Sequence, residues 1–122
     1  MKKLIAVFAF VIGFAFTTNA QEAKKISLEQ TKGEFTQKSI TVSEGTYVFE
    51  IANNSVGHNV GFVLVPEGKD ASKPENHIKA AYVTKPVATD SKQTTNKVAL
   101  KKGKYVYFCP LNPTPQYTLV VE

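Results

Sequence analysis

Hydrophobic and polar positions alternate along most of this chain, in short runs cut by turn residues. The clearest run is Tyr47-Val48-Phe49-Glu50-Ile51. Successive strand side chains point to opposite faces, so Tyr47, Phe49 and Ile51 share one face. Ser43-Glu44-Gly45 before the run reads as a turn, and Asn53-Asn54-Ser55 ends it. The same reading predicts an edge strand at 24–28 and a strand over 34–42. A continuous apolar strand over 59–65 meets Pro66. Further strands are expected at 96–100, 104–109 and 117–121. Prolines at 110, 113 and 115 keep the intervening loop out of a central strand, because proline donates no ladder hydrogen bond.

One segment breaks the period of two. Residues 74–83 read as a short helix, with Pro74 suited to a first turn and Glu75 placed where the helix dipole favours an anion. Ile78, Ala81 and Tyr82 would then share its inner face. About seven short strands and one short helix predict an all-β, Greek-key β-sandwich, with the helix in the variable segment.

The ends set the boundaries. Lys2 and Lys3, an apolar stretch over 4–16 and the small residues Thr18-Asn19-Ala20 have the form of a cleavable leader, with Gln21 beginning the remainder. The expectation is a signal peptide over 1–20, one sandwich domain over 21–122, and a periplasmic or secreted location. No later apolar span supports a membrane role after the leader is removed. A monomer is expected.

Charge narrows the partners. The chain carries a formal +5, and the leader's Lys2 and Lys3 account for two of these charges. Every basic residue is lysine, and the lysines are scattered apart from Lys101-Lys102-Gly103-Lys104. Nucleic-acid readers use clustered charge and arginine forks, so nucleic acid is not an expected partner.

The candidate chemistry centres on Cys109, the single cysteine. A lone thiol in an oxidising compartment calls for burial or coordination. Gly57-His58-Asn59-Val60 opens another apolar run, and a thiolate with an imidazole is half of a mononuclear copper site. A buried structural cysteine is the alternative. A Cys–His nucleophile would also need an oxyanion hole and an orienting group, and no glycine-rich turn suggests them, so the chain does not read as an enzyme. Zinc would want four ligands where the sequence offers two clear ones.

The chain resembles the cupredoxins, the small blue-copper proteins, most closely their amicyanin and plastocyanin branch. Two blocks carry the likeness. Ile40-Thr-Val-Ser-Glu-Gly-Thr-Tyr-Val-Phe-Glu-Ile51, followed by Gly57-His58-Asn59-Val60, resembles the run into the first ligand histidine. Leu100-Lys-Lys-Gly-Lys-Tyr-Val-Tyr-Phe-Cys109, with Tyr117-Thr-Leu-Val-Val-Glu122, resembles the ligand cysteine and last strand. The resemblance implies copper held by His58 and Cys109. Asn112 stands where the family has its second histidine, and Pro115 where it has the axial methionine. Gln116, beside Pro115, is of a residue type that can serve axially. His77 lies outside the matching blocks. The implied function is an exported copper-binding protein for electron transfer or copper handling, with a redox or copper-transfer protein as partner. The alternative is a metal-free module of the same fold that acts by protein binding.

Overall fold

The computed structural model describes residues 23–122. Its strands are β1 (Lys24–Thr31), β2 (Glu34–Phe35), β3 (Ser39–Val42), β4 (Gly45–Asn53), β5 (Val63–Pro66), β6 (Lys92–Thr94), β7 (Val98–Leu100), β8 (Gly103–Phe108) and β9 (Tyr117–Val121). They form two sheets. One runs β3-β9-β8-β5, and the other runs β2-β1-β4-β6 with β7 also paired to β4. The expected all-β sandwich is the observed fold, and the expected leader lies outside the described residues.

β4 organises the second sheet. Tyr47, Phe49, Ile51 and Asn53 are buried on its inner face, as the alternation requires. β1 lies parallel to it, with Ile26 opposite Phe49, Leu28 opposite Ile51 and Gln30 opposite Asn53. Each parallel rung therefore points two side chains into the same layer. The first two rungs are apolar and the last carries two carboxamides. From the other sheet, Leu64, Tyr107, Leu119 and Val121 close the core.

Aromatic rings fill the middle. Phe35 meets Phe62, Tyr107 and Tyr117 edge-on, with centroids 6.1, 5.2 and 5.8 Å away. Each such pair contributes about 1 kcal/mol beyond simple burial. The two ion pairs among the described residues, Lys25–Glu50 and Lys38–Glu34, are on the surface, where a pair contributes about 0–1 kcal/mol. Apolar packing, not charge, holds this sandwich together.

Several boundaries differ from the sequence reading. The strand expected over 34–42 is two strands in different sheets. The chain turns between them, with Thr36 N–H donating to Glu29 O at 2.8 Å. The strand expected over 59–65 begins only at Val63. Val60 instead makes an isolated bridge to Val87. β6 falls in a stretch whose polarity reads as loop.

The expected helix over 74–83 is not formed. Two single 3₁₀ turns, Pro74–Asn76 and Lys79–Ala81, flank an extended His77 and Ile78. Ile78 N–H donates to Leu64 O at 2.9 Å, so the chain binds the edge of β5 instead of coiling. A ten-residue helix is marginal in water, and a sheet edge with free carbonyls is the better acceptor.

Two measurements test this packing. Phe35→Ala should cost about 3–5 kcal/mol in urea denaturation, since it empties the centre of the aromatic cluster. The second concerns Tyr107, whose hydroxyl donates to Gln37 O at 2.6 Å. Burial, with a smaller contribution from Tyr117, pushes its pKa up to about 12. The folded state thus holds this proton above the unfolded value of about 10. Its contribution is fully present below pH of about 10 and is lost as pH rises towards about 12. Tyr107→Phe should flatten the fall in urea midpoint across that window, and an unchanged fall would show that other groups cause it.

Candidate functional site

The loop end of the sandwich gathers the turn after β1, the segment between β4 and β5, and the loop between β8 and β9. Cys109 follows β8 directly, and its alternation with Tyr107 turns it inward. It is a free thiol, 2 % exposed. Its sulfur accepts two backbone hydrogen bonds, from Gly61 N–H at 3.3 Å and from Asn112 N–H at 3.1 Å. Cys109 N–H is in turn held by Thr114 Oγ1 at 3.1 Å. The loop is thereby folded back around the sulfur.

Asn112 is buried beside it, 3 % exposed. Its backbone faces the sulfur, but its side chain faces the other sheet. Asn112 Oδ1 accepts from Gly33 N–H at 2.7 Å. Asn112 Nδ2 donates to Gln30 Oε1 at 3.0 Å and to Thr31 O at 2.8 Å. Gly33 sits at φ +76, a conformation that suits glycine, and so can aim its N–H into the loop end. Gln30, fully buried, donates through Nε2 to Gly61 O at 2.7 Å. The four groups close a ring: Cys109 sulfur, Gly61, Gln30 and Asn112. The amide orientations are fixed by this pattern, since turning either one would set oxygen against oxygen.

His58 lies elsewhere in the same loop end. Its backbone is anchored, because Asn53 Nδ2 donates to His58 O at 2.8 Å. Its ring is exposed. Nδ1 donates to Asn59 O at 2.9 Å. Ser55 and Asp90, both at positive φ, brace the segment through Ser55 N–H and Oγ on Asp90 Oδ1. No hydrogen bond joins His58 to Cys109 among the described residues. Pro115 and Gln116 are exposed. His77 sits on the 3₁₀ segment with both nitrogens engaged. Nε2 donates to Ala71 O at 2.8 Å, and the Tyr82 hydroxyl meets Nδ1 at 2.7 Å.

The family model described as "Cupredoxin-like domain" matches residues 4–121. This chain belongs to that family. Solved cupredoxin-like structures agree on the fold. Auracyanin B is 19% identical with a TM-score of 0.66, over 86% of this chain and 93% of that one. Auracyanin A, a "blue" copper protein from Chloroflexus aurantiacus, is 22% identical at 0.61, over 83% and 100%. Amicyanin from Paracoccus versutus is 16% identical at 0.53, over 86% and 94%. No curated protein matches.

Cupredoxins as a family are associated with copper, so the fit can be tested on this cupredoxin-like chain's own donor atoms. A blue site wants two imidazoles and a thiolate in a near-trigonal plane, with a weak axial group. Among the described residues a hydrogen bond joins Cys109 and Asn112, and none joins Cys109 to His58 or Gln116. The sulfur accepts two N–H groups, which leaves a thiolate one further lone pair, and the Asn112 oxygen accepts another N–H. No group of three or more His, Cys, Asp or Glu side chains gathers among the described residues. With one candidate imidazole and the Asn112 oxygen already accepting from Gly33, this donor set does not make the two-imidazole plane of a blue site.

The sequence reading missed Gln30 and Asn53. A signal was present, because each is a polar residue at an inward position of an alternating run: Ile26, Leu28, Gln30 and Phe49, Ile51, Asn53. It also missed Leu111, which is 53 % exposed and is the exposed large hydrophobic residue among those described.

The burial pattern separates the two sulfur-site residues by a simple assay. Cys109 should react slowly with a disulfide reagent in the native protein and at the free-thiol rate in denaturant. His58→Ala should change stability by less than about 0.5 kcal/mol, as for other exposed positions. A fast native thiol, or a large cost at His58, would mean that the loop end is built differently.

Proposed function

We propose that this cupredoxin-like chain is an exported binding module that works without a resident metal and engages a protein partner through its loop end. One observation carries the reading: every polar atom of the Asn112 side chain is already hydrogen-bonded to protein. An oxygen accepting a 2.7 Å bond from Gly33, on a residue fixed by three contacts, has no reason to face an ion.

The same loop end offers a surface. Leu111 and Pro110 border a shallow apolar groove of about 280 Å³ with Val60, Phe62, Val83 and Pro86. Lys85 is the charged residue of its lining. No carboxylate lines it. The charge pattern fits a protein surface that presents an apolar side chain beside a carboxylate. Prolines at 110 and 113 stiffen the rim, which lowers the entropy lost on docking.

A second reading keeps copper, for electron transfer or copper transfer to a redox partner. It is favoured by Cys109, a soft ligand held inside a family associated with copper. It requires the His58 imidazole and the Cys109 thiolate to meet at one ion, with further donors to complete the site.

Titration of the leader-free protein with Cu(I) and Cu(II), read by bound metal and visible absorption, separates the two. The metal-free reading expects less than stoichiometric metal and no intense thiolate-to-Cu(II) band. Stoichiometric uptake that Cys109→Ser abolishes would establish the copper reading instead. For the docking face, a photo-crosslinking residue at position 111 should give one discrete adduct in the exporting cell. The adduct should weaken with Lys85→Glu and be absent when the crosslinker is at Lys101. Equal adducts from both positions would remove Leu111 from the interface.

A further inference from the structure

The ring of hydrogen bonds has a role beyond filling the loop end. We infer that the Gln30–Asn112 carboxamide pair is a metal-independent joint that positions the Leu111 loop, so that the docking face keeps its shape with no ion present. The inference deepens the binding-module reading and rests on it for the use made of Leu111.

Three features of the ring support it. First, it ties together parts of the chain that are far apart in sequence. Asn112 reaches Gln30 and Thr31 on β1, Gln30 reaches Gly61, and both Gly61 and Asn112 reach Cys109. An ion cross-links a fold in the same way, by gathering donors from separate segments. Here two neutral amides do so.

Second, the groups are dry. Gln30 is 0 % exposed, Asn112 3 % and Cys109 2 %. Leaving any member unsatisfied exposes a buried polar atom to an apolar setting, so the ring holds as a unit or opens as a unit. Third, it sets the exposure of Leu111. The Asn112 N–H to Cys109 sulfur bond closes a tight turn over Pro110 and Leu111. With both ends of that turn drawn inward, Leu111 is left outward. Pro110 packs within 3.9 Å of where a Gly61 Cβ would be.

The joint also has no titratable member except the thiol. Imidazole or carboxylate ligands would release an ion as pH falls, but amides keep their bonds. The docking face is therefore indifferent to metal supply and to mild acid.

Amide hydrogen exchange of the leader-free protein, followed by NMR, tests this without a partner. Gly33 is itself exposed, and the hydrogen bond made by its N–H is the one to Asn112 Oδ1. That N–H should exchange at least about 100-fold slower than in a free loop, and equally slowly after treatment with Cu(I) and Cu(II) chelators. Gln30→Met leaves Gly33 untouched, yet it should speed exchange at Gly33 and Asn112 by about tenfold. Phe49 and Thr95, which bond each other in the same core outside the ring, should keep their rates.

Free-loop exchange at Gly33 in the unaltered protein would overturn the joint. So would loss of protection on chelation, since an ion would then be the joint. Uniform acceleration at all four amides, or none at any, in Gln30→Met would reduce Gln30 to ordinary core packing and overturn it as well. If Gly33 stays protected under chelation while copper binds stoichiometrically elsewhere, the joint stands and the metal-free reading fails. The unaltered protein alone decides the first two outcomes, so a Gln30→Met protein that does not fold leaves the joint testable.

Discussion

A β-sandwich seals its flat faces with hydrocarbon, but its ends are open edges where strands run out and loops begin. Backbone N–H and C=O groups there leave the ladder and still need partners, at a cost of about 1–3 kcal/mol for each one buried and unmet. In this chain the last inward rung of the β1–β4 pair carries Gln30 and Asn53 in place of two aliphatic residues. Asn53 satisfies His58 O, Val87 O and Val56 N–H. Gln30, with Asn112, satisfies Gly61 O and Thr31 O. The other features of the loop end depend on these three carboxamides.

Much of the fold was legible because burial imposes a period. Tyr47, Phe49 and Ile51 could face one way only, and Tyr107 with Cys109 likewise, so the sandwich followed from the alternation. The helix over 74–83 was not legible. Its apolar spacing fits a helix, but the deciding interaction is Ile78 N–H on Leu64 O, a contact with a strand edge that local sequence does not show. The split of 34–42 has a related cause. Phe35 and Ile40 both face the core, but from opposite sheets, and a period of two cannot mark where a chain crosses between layers.

The inward place of Cys109 was legible, and the wiring around it was not. Cys109 is buried at the end of β8, where its alternation puts it. The spacing of Asn112 from Cys109 also brought the two together, since three residues suffice for the backbone turn onto the sulfur. Spacing says nothing of where the carboxamide points, however. That direction is set by Gly33, which belongs to a turn nearly eighty residues earlier and whose positive φ is a property of the backbone. The extension of the β1 alternation to Gln30 was the available clue, because a polar residue in an inward register implies a buried partner.

Membership in the cupredoxin-like family and the state of this loop end are compatible once fold and site are separated. The sandwich is held by its aromatic core, with Phe35 at the centre. A loop end on such a scaffold can change its donors so long as each buried polar atom keeps a partner. Asn112 alone at this position would strand its amide. Together with an inward Gln30 and a glycine able to turn its N–H inward, it leaves nothing unmet. The three residues therefore make sense as a set, because together they leave each of these buried polar atoms with a partner. The buried Cys109 sulfur, with two N–H donors, fits the same scheme. The His58 ring, by contrast, is exposed and bonds the carbonyl of its neighbour Asn59, while Asn53 holds its backbone.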